Sequence, residues 1–330
     1  MRSVTHRPLG VAAIALAASL VTVTPADAET QLRLSHYAST ASTTHEAAQF
    51  FADEVEKRTD GELTVSVHPA NELGNGPDQV RGLRLGTLDM AVVGNTFFTA
   101  VIPELAAFDL PYLFASREHA YEVLDGEIGS ELLSKFEDNR MKVLGNWEIG
   151  FRNITNNVRA IETPADLAGI NLRVNPNKTH VAAFEAWGAN PTPINFSELY
   201  LALETGSVDG QENPVVLIEA MRFNEVQEHL SLTRHAYTGA FLAMNKGIFD
   251  GLSGEHQDVL TTVGREAGQM ERDLNAVKEG GALDKMRDAG LKVVEDPDRD
   301  AFREMVVEIT RKGYVDEFGD ELLTRIDDAH

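Results

Sequence analysis

Two arginines, Arg152 and Arg173, are the side chains in this sequence best suited to holding a small anion. Each follows an apolar residue, Phe151 or Leu172, in a segment typical of a β-strand. A guanidinium presents a planar fork of donors that matches a carboxylate. In open α/β sheets the ends of such strands face the ligand crevice. The two arginines therefore predict a site that binds a small organic acid without reacting with it.

Asn213 is the third candidate, because it lies in a turn bounded by Gly210 and Pro214 and its amide can both donate and accept hydrogen bonds. Further polar or aromatic side chains lie near predicted strand ends or in loops, where a ligand with hydroxyl groups would find partners: His36, Glu72, Asn95, Trp147, Glu148 and Phe196. A structural role stays open for all of them, and Trp147 and Phe196 also suit a core.

Signatures of catalysis are missing from the sequence. It contains no Walker loop, no G-x-S-x-G elbow and no H-E-x-x-H motif. Because there is no cysteine, disulfides and thiolate metal sites are excluded. Residues 296–300 resemble the start of a calcium loop, but Ala301 and Val307 stand where that loop needs glycine and glutamate. We expect neither an enzyme, nor a cofactor, nor a bound metal.

The charge balance excludes two classes of partner. The 330 residues carry a formal net charge of -23, which repels nucleic acid and anionic lipid surfaces. An acidic, solvated surface is compatible with a ligand site that is locally positive. The chain is longer than one compact core usually organises, so two lobes are expected.

The first 28 residues have the pattern of a signal peptide. Arg2 and Arg7 precede an apolar run at 9–23, and Ala26-Asp27-Ala28 matches a signal-peptidase site. The run is shorter than the about 20 residues that a membrane-spanning helix needs, although a retained anchor stays an alternative. We predict cleavage near Ala28, export to the periplasm and a mature chain that does not insert into a membrane.

Alternation of apolar and polar residues predicts the elements that must position these side chains. Strands at 31–34, 63–67 and 88–93, separated by helices, give a βαβαβ order typical of a mainly parallel sheet. Further strands are predicted at 141–147, 171–174, 230–234 and 239–244, with residues 151–155 crossing between the lobes. A long amphipathic helix is predicted over 257–278, and Gly280-Gly281 is expected to break or kink it.

A series of ordered motifs runs along the chain: Leu73-Gly74, DLPYLF at 109–114, Gly150-Phe151-Arg152, Leu172-Arg173-Val174, GANPTP at 188–193, FSELYLALETG at 196–206 and VDGQENP at 208–214. With these motifs the chain resembles the substrate-binding proteins of tripartite ATP-independent periplasmic (TRAP) transporters, of the dicarboxylate-binding (DctP) type. The resemblance covers about residues 32–244 and, less specifically, the remainder.

The resemblance implies an α/β fold built as a two-lobed clamp, like other periplasmic binding proteins. Such a clamp has mixed, mostly parallel sheets, hinge strands and a long helix that bridges the lobes. We place lobe I at residues 29–150 plus 239–278 and lobe II at residues 151–238 plus 279–330.

The resemblance also implies roles for individual residues. Arg173 would form the salt bridge to the ligand carboxylate, Arg152 would assist it, and Asn213 would hydrogen-bond the same group. Phe196 would line the pocket, and His235 would belong to a supporting polar network. The loaded protein, a monomer by default, would deliver its ligand to a small and a large membrane subunit.

The first lobe is expected to select the ligand. A sialate-binding relative carries a glutamate close to where this chain has Gly94-Asn95, which argues against sialic acid. Polar groups at His36, Glu72, Asn95 and Glu148 suit hydroxyls better than a second carboxylate. We therefore predict a sugar acid, either a uronate such as glucuronate or galacturonate, or an aldonate. A C4-dicarboxylate is the alternative ligand. An enzyme that processes sugar acids and a sensory binding protein are the rival functions.

Overall fold

The computed structural model describes residues 30–329. The predicted signal peptide at residues 1–28 and its cleavage near Ala28 lie outside the described residues. The described chain folds into an α/β structure around one sheet of nine strands. No helix within residues 30–329 combines the length and the apolar character needed to span a bilayer.

The secondary structure of residues 30–329 follows in chain order. The strands are β1 (Thr30–His36), β2 (Leu63–His68), β3 (Met90–Gly94), β4 (Met141–Asn156), β5 (Asn171–Val174), β6 (Asn190–Pro193), β7 (Gly210–Pro214), β8 (His229–Asn245) and β9 (Lys292–Val294). The α-helices are α1 (Thr43–Arg58), α2 (Gly76–Leu85), α3 (Asn95–Phe98), α4 (Arg117–Asp125), α5 (Glu127–Asp138), α6 (Lys178–Ala186), α7 (Leu199–Glu204), α8 (Val215–Ala220), α9 (Lys246–Asp250), α10 (Gly254–Asp288), α11 (Arg299–Phe318) and α12 (Glu321–Asp327). Short 3-10 helices cover Pro103–Asp109, Pro164–Leu167, Phe196–Glu198 and Phe223–Glu225.

The sheet is mixed, with the strand order β2-β1-β3-β8-β4-β7-β5-β6 and with β9 paired to β8. Strand β1 pairs in parallel with β2 and β3, β5 pairs in parallel with β6 and β7, and β9 in parallel with β8. The pairs β3/β8, β4/β8 and β4/β7 are antiparallel. The predicted α/β class with mixed, mostly parallel pairing is confirmed, and the strands form one continuous sheet.

Strands β4 and β8 are 16 and 17 residues long and pair over most of their length. The segments predicted separately at 141–147 and 151–155 are one strand, and so are 230–234 and 239–244. Register shifts occur between Glu148 and Gly150 and between Arg152 and Ile154. These irregularities interrupt the alternation of apolar residues while the ladder of hydrogen bonds continues, so the sequence pattern shows breaks that the backbone does not have.

Buried apolar side chains form clusters on both faces of this sheet. Met90 and Val92 of β3 lie in one cluster and Ala91 and Val93 in another, so these two clusters cover opposite faces. Two further clusters surround the other end of the sheet, one of them with Leu172 of β5 and the other with helices α7 and α8.

Helix α10 connects the two ends of the sheet, because Leu260 packs in the cluster of Met90 and Met286 in the cluster of α7 and α8. It has 35 residues and runs unbroken to Asp288. A break or a kink was predicted at Gly280-Gly281; the break is wrong, and the kink stays a prediction. Asn275, Ala282 and Met286, on either side of the glycines in the same helix, are buried against the rest of the protein. This packing outweighs the about 1 kcal/mol that each glycine costs in a helix.

The division into residues 29–150 plus 239–278 and residues 151–238 plus 279–330 stays a prediction. Helices α11 and α12 both fall within the second of these units, but their side chains pack in clusters at both ends of the sheet. Phe302 of α11 lies in the cluster of Leu172, whereas Tyr314 of α11 and Leu323 of α12 lie in the cluster of Ala91 and Val93. Helix α11 therefore contacts both ends of the sheet, as α10 does.

Helix α10 also buries a carboxyl group, Glu271, whose Oε2 accepts a hydrogen bond of 3.0 Å from the backbone N–H of Glu148. Its Oε1 has no hydrogen-bond partner among the described residues. Burial raises the pKa of Glu271 to about 8, with a further rise from the Glu148 carboxylate, while hydrogen bonds from Thr44 and from the Glu148 backbone oppose it. The folded protein therefore keeps a proton on Glu271 at neutral pH.

This buried proton makes stability depend on pH. Between pH 4.5 and about pH 8 the Glu271 carboxyl group is ionised in the unfolded chain but protonated in the folded protein. The free energy of unfolding should therefore fall as pH rises through that range. We expect Glu271→Gln to remove this dependence and to raise Tm more at pH 8 than at pH 5. Thermal unfolding at both pH values measures the effect. The matched control is Glu255→Gln at an exposed position of the same helix, and an equal Tm rise at both pH values would contradict the prediction.

Candidate functional site

A cavity lies between the two ends of the sheet. Its polar lining comes from Tyr37, Asn71, Asn75, Gln79, Arg152, Asn175, Asn195 and Asn213. Its apolar lining includes Val92, Phe97, Ile149, Phe196 and Leu217. Tyr37 follows β1, Asn175 follows β5 and Asn195 follows β6, so the carboxyl ends of three strands open onto the cavity, as is usual for ligand sites in α/β sheets.

Arg173, in β5, is completely buried. Its Nε donates a hydrogen bond of 2.9 Å to the carbonyl oxygen of Ile194, but Nη1 and Nη2 have no partner among the described residues. The guanidinium lies 5.9 Å from the ring centre of Phe196, which lines the cavity. Burial and the like charge of Arg152 lower the pKa of Arg173 to about 9, against the attraction of Glu212. The side chain therefore stays charged at neutral pH.

Arg152, in β4, is buried as well but is fully paired. It forms a salt bridge with the Glu212 carboxylate and also donates to the Glu212 carbonyl oxygen at 2.6 Å. Further hydrogen bonds run to Asn213 Oδ1 at 3.0 Å and to the Thr238 hydroxyl at 3.3 Å. Arg152 faces the cavity with its charge already neutralised.

Glu212 is the residue that neutralises the charge of Arg152. It is not among the residues predicted from the sequence. Burial alone would raise the pKa of Glu212, but the Arg152 guanidinium and hydrogen bonds from His235 and Arg152 outweigh burial and hold that pKa well below its usual range. The available signal was its place beside Asn213 in the motif at 208–214: a buried arginine needs a buried acid, and this is the acid next to the predicted site.

The charges of the site therefore sum to one positive charge. Arg152 and Glu212 cancel each other, and Arg173 remains. His235 is buried, with Nε2 3.3 Å from Glu212 Oε2 and Nδ1 2.8 Å from the Thr233 hydroxyl. Burial lowers its pKa despite the attraction of Glu212, so we treat the ring as neutral. One carboxylate is the anion that this arrangement can balance.

The structure brings together Arg152, Asn213 and Phe196 in the cavity lining, with Arg173 against Phe196 and His235 on Glu212. Asn213 uses its Oδ1 to accept from Arg152 and its Nδ2 to donate to Gln211. Arg173 is not itself among the residues that line the cavity, and the roles that the resemblance implies for these residues stay predictions.

His36 and Asn95 lie outside the cavity lining. His36 is buried against His45, 3.1 Å away, and burial together with His45 lowers the pKa of His36 to about 3. The next residue, Tyr37, lines the cavity instead, because successive side chains of an extended chain point to opposite sides. Asn95 donates hydrogen bonds of 3.1 Å to the carbonyl oxygen of Leu105 and to Asp109.

Glu72, Trp147 and Glu148 also lie outside the cavity lining. The Glu72 side chain is 57% exposed, with its carboxylate 3.6 Å from His68. Trp147 is completely buried in the core, where its Nε1 donates to the Gly264 carbonyl oxygen at 3.3 Å. Glu148 is buried and receives hydrogen bonds from the side chains of Arg117, Tyr121 and Tyr237. Each of these three side chains thus has a structural environment away from the cavity.

The first-strand side of the cavity is instead lined by amides that sequence reasoning did not select. Asn75 precedes helix α2 at its N-cap position, yet its side chain makes no capping hydrogen bond. Its Oδ1 is buried and has no partner among the described residues. Asn71 and Gln79 hydrogen-bond each other at 3.3 Å beside it. Within the loop at 71–76, Glu72 is the residue that was predicted for the site from the sequence, and its side chain is exposed.

No metal centre accompanies this site in the part of the chain that the structure describes. Within residues 30–329 no group of three or more His, Cys, Asp or Glu side chains is placed to hold a metal ion. The chemistry available is therefore that of a charged fork, amides and an aromatic wall, which can hold and orient a small acid.

Comparison with known proteins gives one family and several similar proteins. The family model described as bacterial extracellular solute-binding protein, family 7 (DctP), matches residues 34–317. The 2,3-diketo-L-gulonate-binding periplasmic protein YiaO of Escherichia coli is 38% identical over 331 residues, which cover 100% of this chain and 99% of that protein.

Two solved structures are similar in fold as well as sequence. The sugar acid binding protein DctPAm of Advenella mimigardefordensis, in complex with galactonate, has a TM-score of 0.88 and 34% identity, covering 92% of this chain and 99% of its own. A TRAP periplasmic solute binding protein of Sulfurospirillum deleyianum, with bound succinate, has a TM-score of 0.87 and 30% identity, covering 92% of this chain and 99% of its own.

Removing the acid that neutralises Arg152 tests the charge balance of the site. We expect Glu212→Gln to lower the free energy of unfolding by about 3 kcal/mol at pH 7, because it leaves a second buried guanidinium without a counter-charge. Since the pKa of Glu212 is lowered on folding, its contribution should shrink as pH falls below the pKa of the unfolded carboxyl. Urea unfolding at pH 7 and pH 3.5 measures both effects.

Glu225→Gln serves as the control, because Glu225 pairs with Arg222 at an exposed position. We expect that substitution to change stability by less than about 1 kcal/mol. A loss for Glu212→Gln that is equal at the two pH values would contradict the ionised state assigned to Glu212.

Proposed function

This chain belongs to the bacterial extracellular solute-binding proteins of family 7, and we propose that it captures a sugar acid with one carboxylate for a TRAP transporter. Like the proteins it resembles, it is a solute-binding protein and not an enzyme. The two terminal nitrogens of Arg173 carry the proposal: they are buried, charged and without a protein partner among the described residues.

A carboxylate is the group that fits these nitrogens. It accepts two parallel hydrogen bonds from one guanidinium and supplies the negative charge that the buried cation needs. Each hydrogen bond to a charged group contributes about 1.5–3 kcal/mol. Micromolar affinity requires about 8 kcal/mol in total. Two such bonds supply about 3–6 kcal/mol, and hydroxyl contacts add the remainder.

The opposite wall favours a sugar acid over a dicarboxylate. Arg152 is the only charged residue among the described cavity-lining residues, and Glu212 already neutralises it. A second carboxylate would therefore enter the cavity without a counter-charge. Amides such as Asn71, Asn75 and Asn195 donate and accept hydrogen bonds, as hydroxyl groups require. Asn75 in particular offers a buried acceptor without a partner among the described residues.

The similar proteins support both the class of ligand and its alternative. YiaO binds 2,3-diketo-L-gulonate and the Advenella protein holds galactonate, which are sugar acids. The Sulfurospirillum protein holds succinate, so a C4-dicarboxylate is the second candidate ligand. We propose a uronate or an aldonate as the ligand of this chain.

The cellular setting follows from the same family. We propose that the chain works in the periplasm after removal of residues 1–28, as a monomer, and passes its ligand to a small and a large membrane subunit. Lobe I (29–150 plus 239–278) and lobe II (151–238 plus 279–330) would close around the ligand, with β4 and β8 as hinge strands.

Replacing Arg173 with lysine tests the assigned carboxylate contact. We expect Arg173→Lys to weaken sugar-acid binding about 100-fold, because an ammonium cannot form the two parallel hydrogen bonds of a guanidinium. Titration calorimetry of the wild type and the variant measures the change. Arg159→Lys, at an exposed position, should bind as the wild type does. Unchanged affinity in Arg173→Lys would remove Arg173 from the site.

A thermal-shift series tests the ligand class. We expect D-glucuronate, D-galacturonate or D-galactonate to raise Tm more than succinate at the same concentration, since a ligand at 100 times its Kd stabilises the folded state by about 2.7 kcal/mol. Sodium chloride at matched ionic strength is the control. A larger shift with succinate would favour the dicarboxylate, and no shift with any of these acids would contradict the proposed function.

A further inference from the structure

A surface groove lies on the face of the sheet opposite the carboxylate cavity. Phe151 lines the groove, whereas the next residue of β4, Arg152, lines the cavity, and successive side chains of a strand point to opposite faces. The groove is open to solvent and has a volume of about 690 Å³. Four arginines and two aspartates line it: Arg234, Arg299, Arg303, Arg311, Asp300 and Asp327. We propose that this arginine groove is a second anion site, for a compact phosphate dianion.

The lining of the arginine groove is positive within an acidic chain. Four arginines against two aspartates leave an excess of two positive charges, whereas the whole chain has a formal net charge of -23. Arg311 contributes nothing to that excess, because Asp327 accepts two hydrogen bonds of 2.6 Å from its guanidinium. The excess therefore lies at the other end of the groove, with Arg234, Arg299 and Arg303.

Arg303 is the cation of the groove without a partner. It is an exposed residue of α11, and it forms no hydrogen bond or ion pair with any residue in the range 30–329. Arg299 lies one helical turn before it, so both can reach the same ligand. The Arg299 guanidinium donates to two backbone carbonyl oxygens at 2.9 Å, and its acid, Asp296, has a side chain that is 93% exposed. Water screens that ion pair, so Arg299 remains available to a bound anion.

Two backbone outliers lie on the groove. Tyr112 and Arg234 have φ values of 54° and 45°, in the left-handed region that residues other than glycine rarely adopt. The Tyr112 N–H donates to the His235 carbonyl oxygen at 2.9 Å, and the Arg234 N–H donates to Asn153 Oδ1 at 3.1 Å. Strained residues of this kind cluster at functional sites. Here the strained backbone accompanies an Arg234 guanidinium that lies over the Phe151 ring, 4.5 Å from its centre.

The charge of Arg234 is only partly compensated. The acid that faces it, Glu279, is 3.7 Å away and also pairs with Arg117 at 2.7 Å. Burial and the like charges of Arg117 and Arg299 lower the pKa of Arg234, against the attraction of Glu279 and Glu148. A phosphate dianion matches the excess of two positive charges at this end of the groove. Its oxygens accept hydrogen bonds from several directions, so it can join arginines of β8 and α11, whereas a planar carboxylate pairs best with one guanidinium.

Titration calorimetry with inorganic phosphate at pH 8, against sodium chloride of matched ionic strength, tests the arginine groove. We expect Arg303→Gln to weaken phosphate binding at least tenfold and to keep the Tm of the wild type, because Arg303 pairs with no described residue. Arg234→Gln, on the β8 side of the groove, should weaken phosphate binding as well. Arg84→Gln is the matched control, because Arg84 is an exposed helical arginine that lines neither the groove nor the cavity.

Two further titrations establish where the phosphate binds and which chemical group is preferred. Arg173→Lys should bind phosphate as tightly as the wild type does, because Arg173 lies against Phe196 of the cavity. In that variant malonate, a dianion with two carboxylates, should bind more weakly than phosphate. The inference is overturned if the wild type does not bind phosphate, if Arg303→Gln keeps the wild-type affinity, if Arg173→Lys loses phosphate binding, or if malonate binds more tightly. None of these outcomes bears on the proposed function, which the sugar-acid titrations test separately.

Discussion

The buried charge of Arg173 is the constraint that determines the rest of the site. A guanidinium removed from water, with two nitrogens that no described residue pairs, destabilises the folded chain unless an anion accompanies it. Arg152 brings a second buried guanidinium close to the first. Glu212 cancels that second charge and so prevents two like charges from repelling each other in a medium of low dielectric constant. One positive charge remains, and one carboxylate balances it.

The sheet fixes where these charges lie. Antiparallel pairing of β4 with β7 sets Arg152 opposite Pro214, one residue from Asn213. Parallel pairing of β5 sets Arg173 opposite Gln211 on one side and Thr192 on the other. The carboxylate end of the proposed site therefore lies on three neighbouring strands. Under the proposed function, the opposite wall of amides decides which carboxylic acid is retained.

Some of this could be predicted from the sequence, for physical reasons. Arg152 and Arg173 were predicted because a charged side chain that follows an apolar one in a strand needs a special environment. Arg173 lies near the end of β5, whereas Arg152 lies inside β4. The cavity lining contains Tyr37 and not the predicted His36, because a step of one residue in an extended chain moves a side chain to the opposite side. Glu212 was not predicted, although its place beside Asn213 in the motif at 208–214 was a signal, because its pairing with Arg152 is visible only in the fold. Breaks within β4 and β8 were predicted because bulges interrupt the apolar pattern without ending the strand.

The central claim is that Arg173 binds the ligand carboxylate, and a crystal structure with D-galactonate tests it most directly. The claim predicts both carboxylate oxygens about 2.7–2.9 Å from Nη1 and Nη2 of Arg173, the range of charge-assisted hydrogen bonds, with the hydroxyl chain directed toward Asn75. A ligand bound with its carboxylate at the amide wall, and with Arg173 contacting only hydroxyl groups or nothing, would contradict the claim.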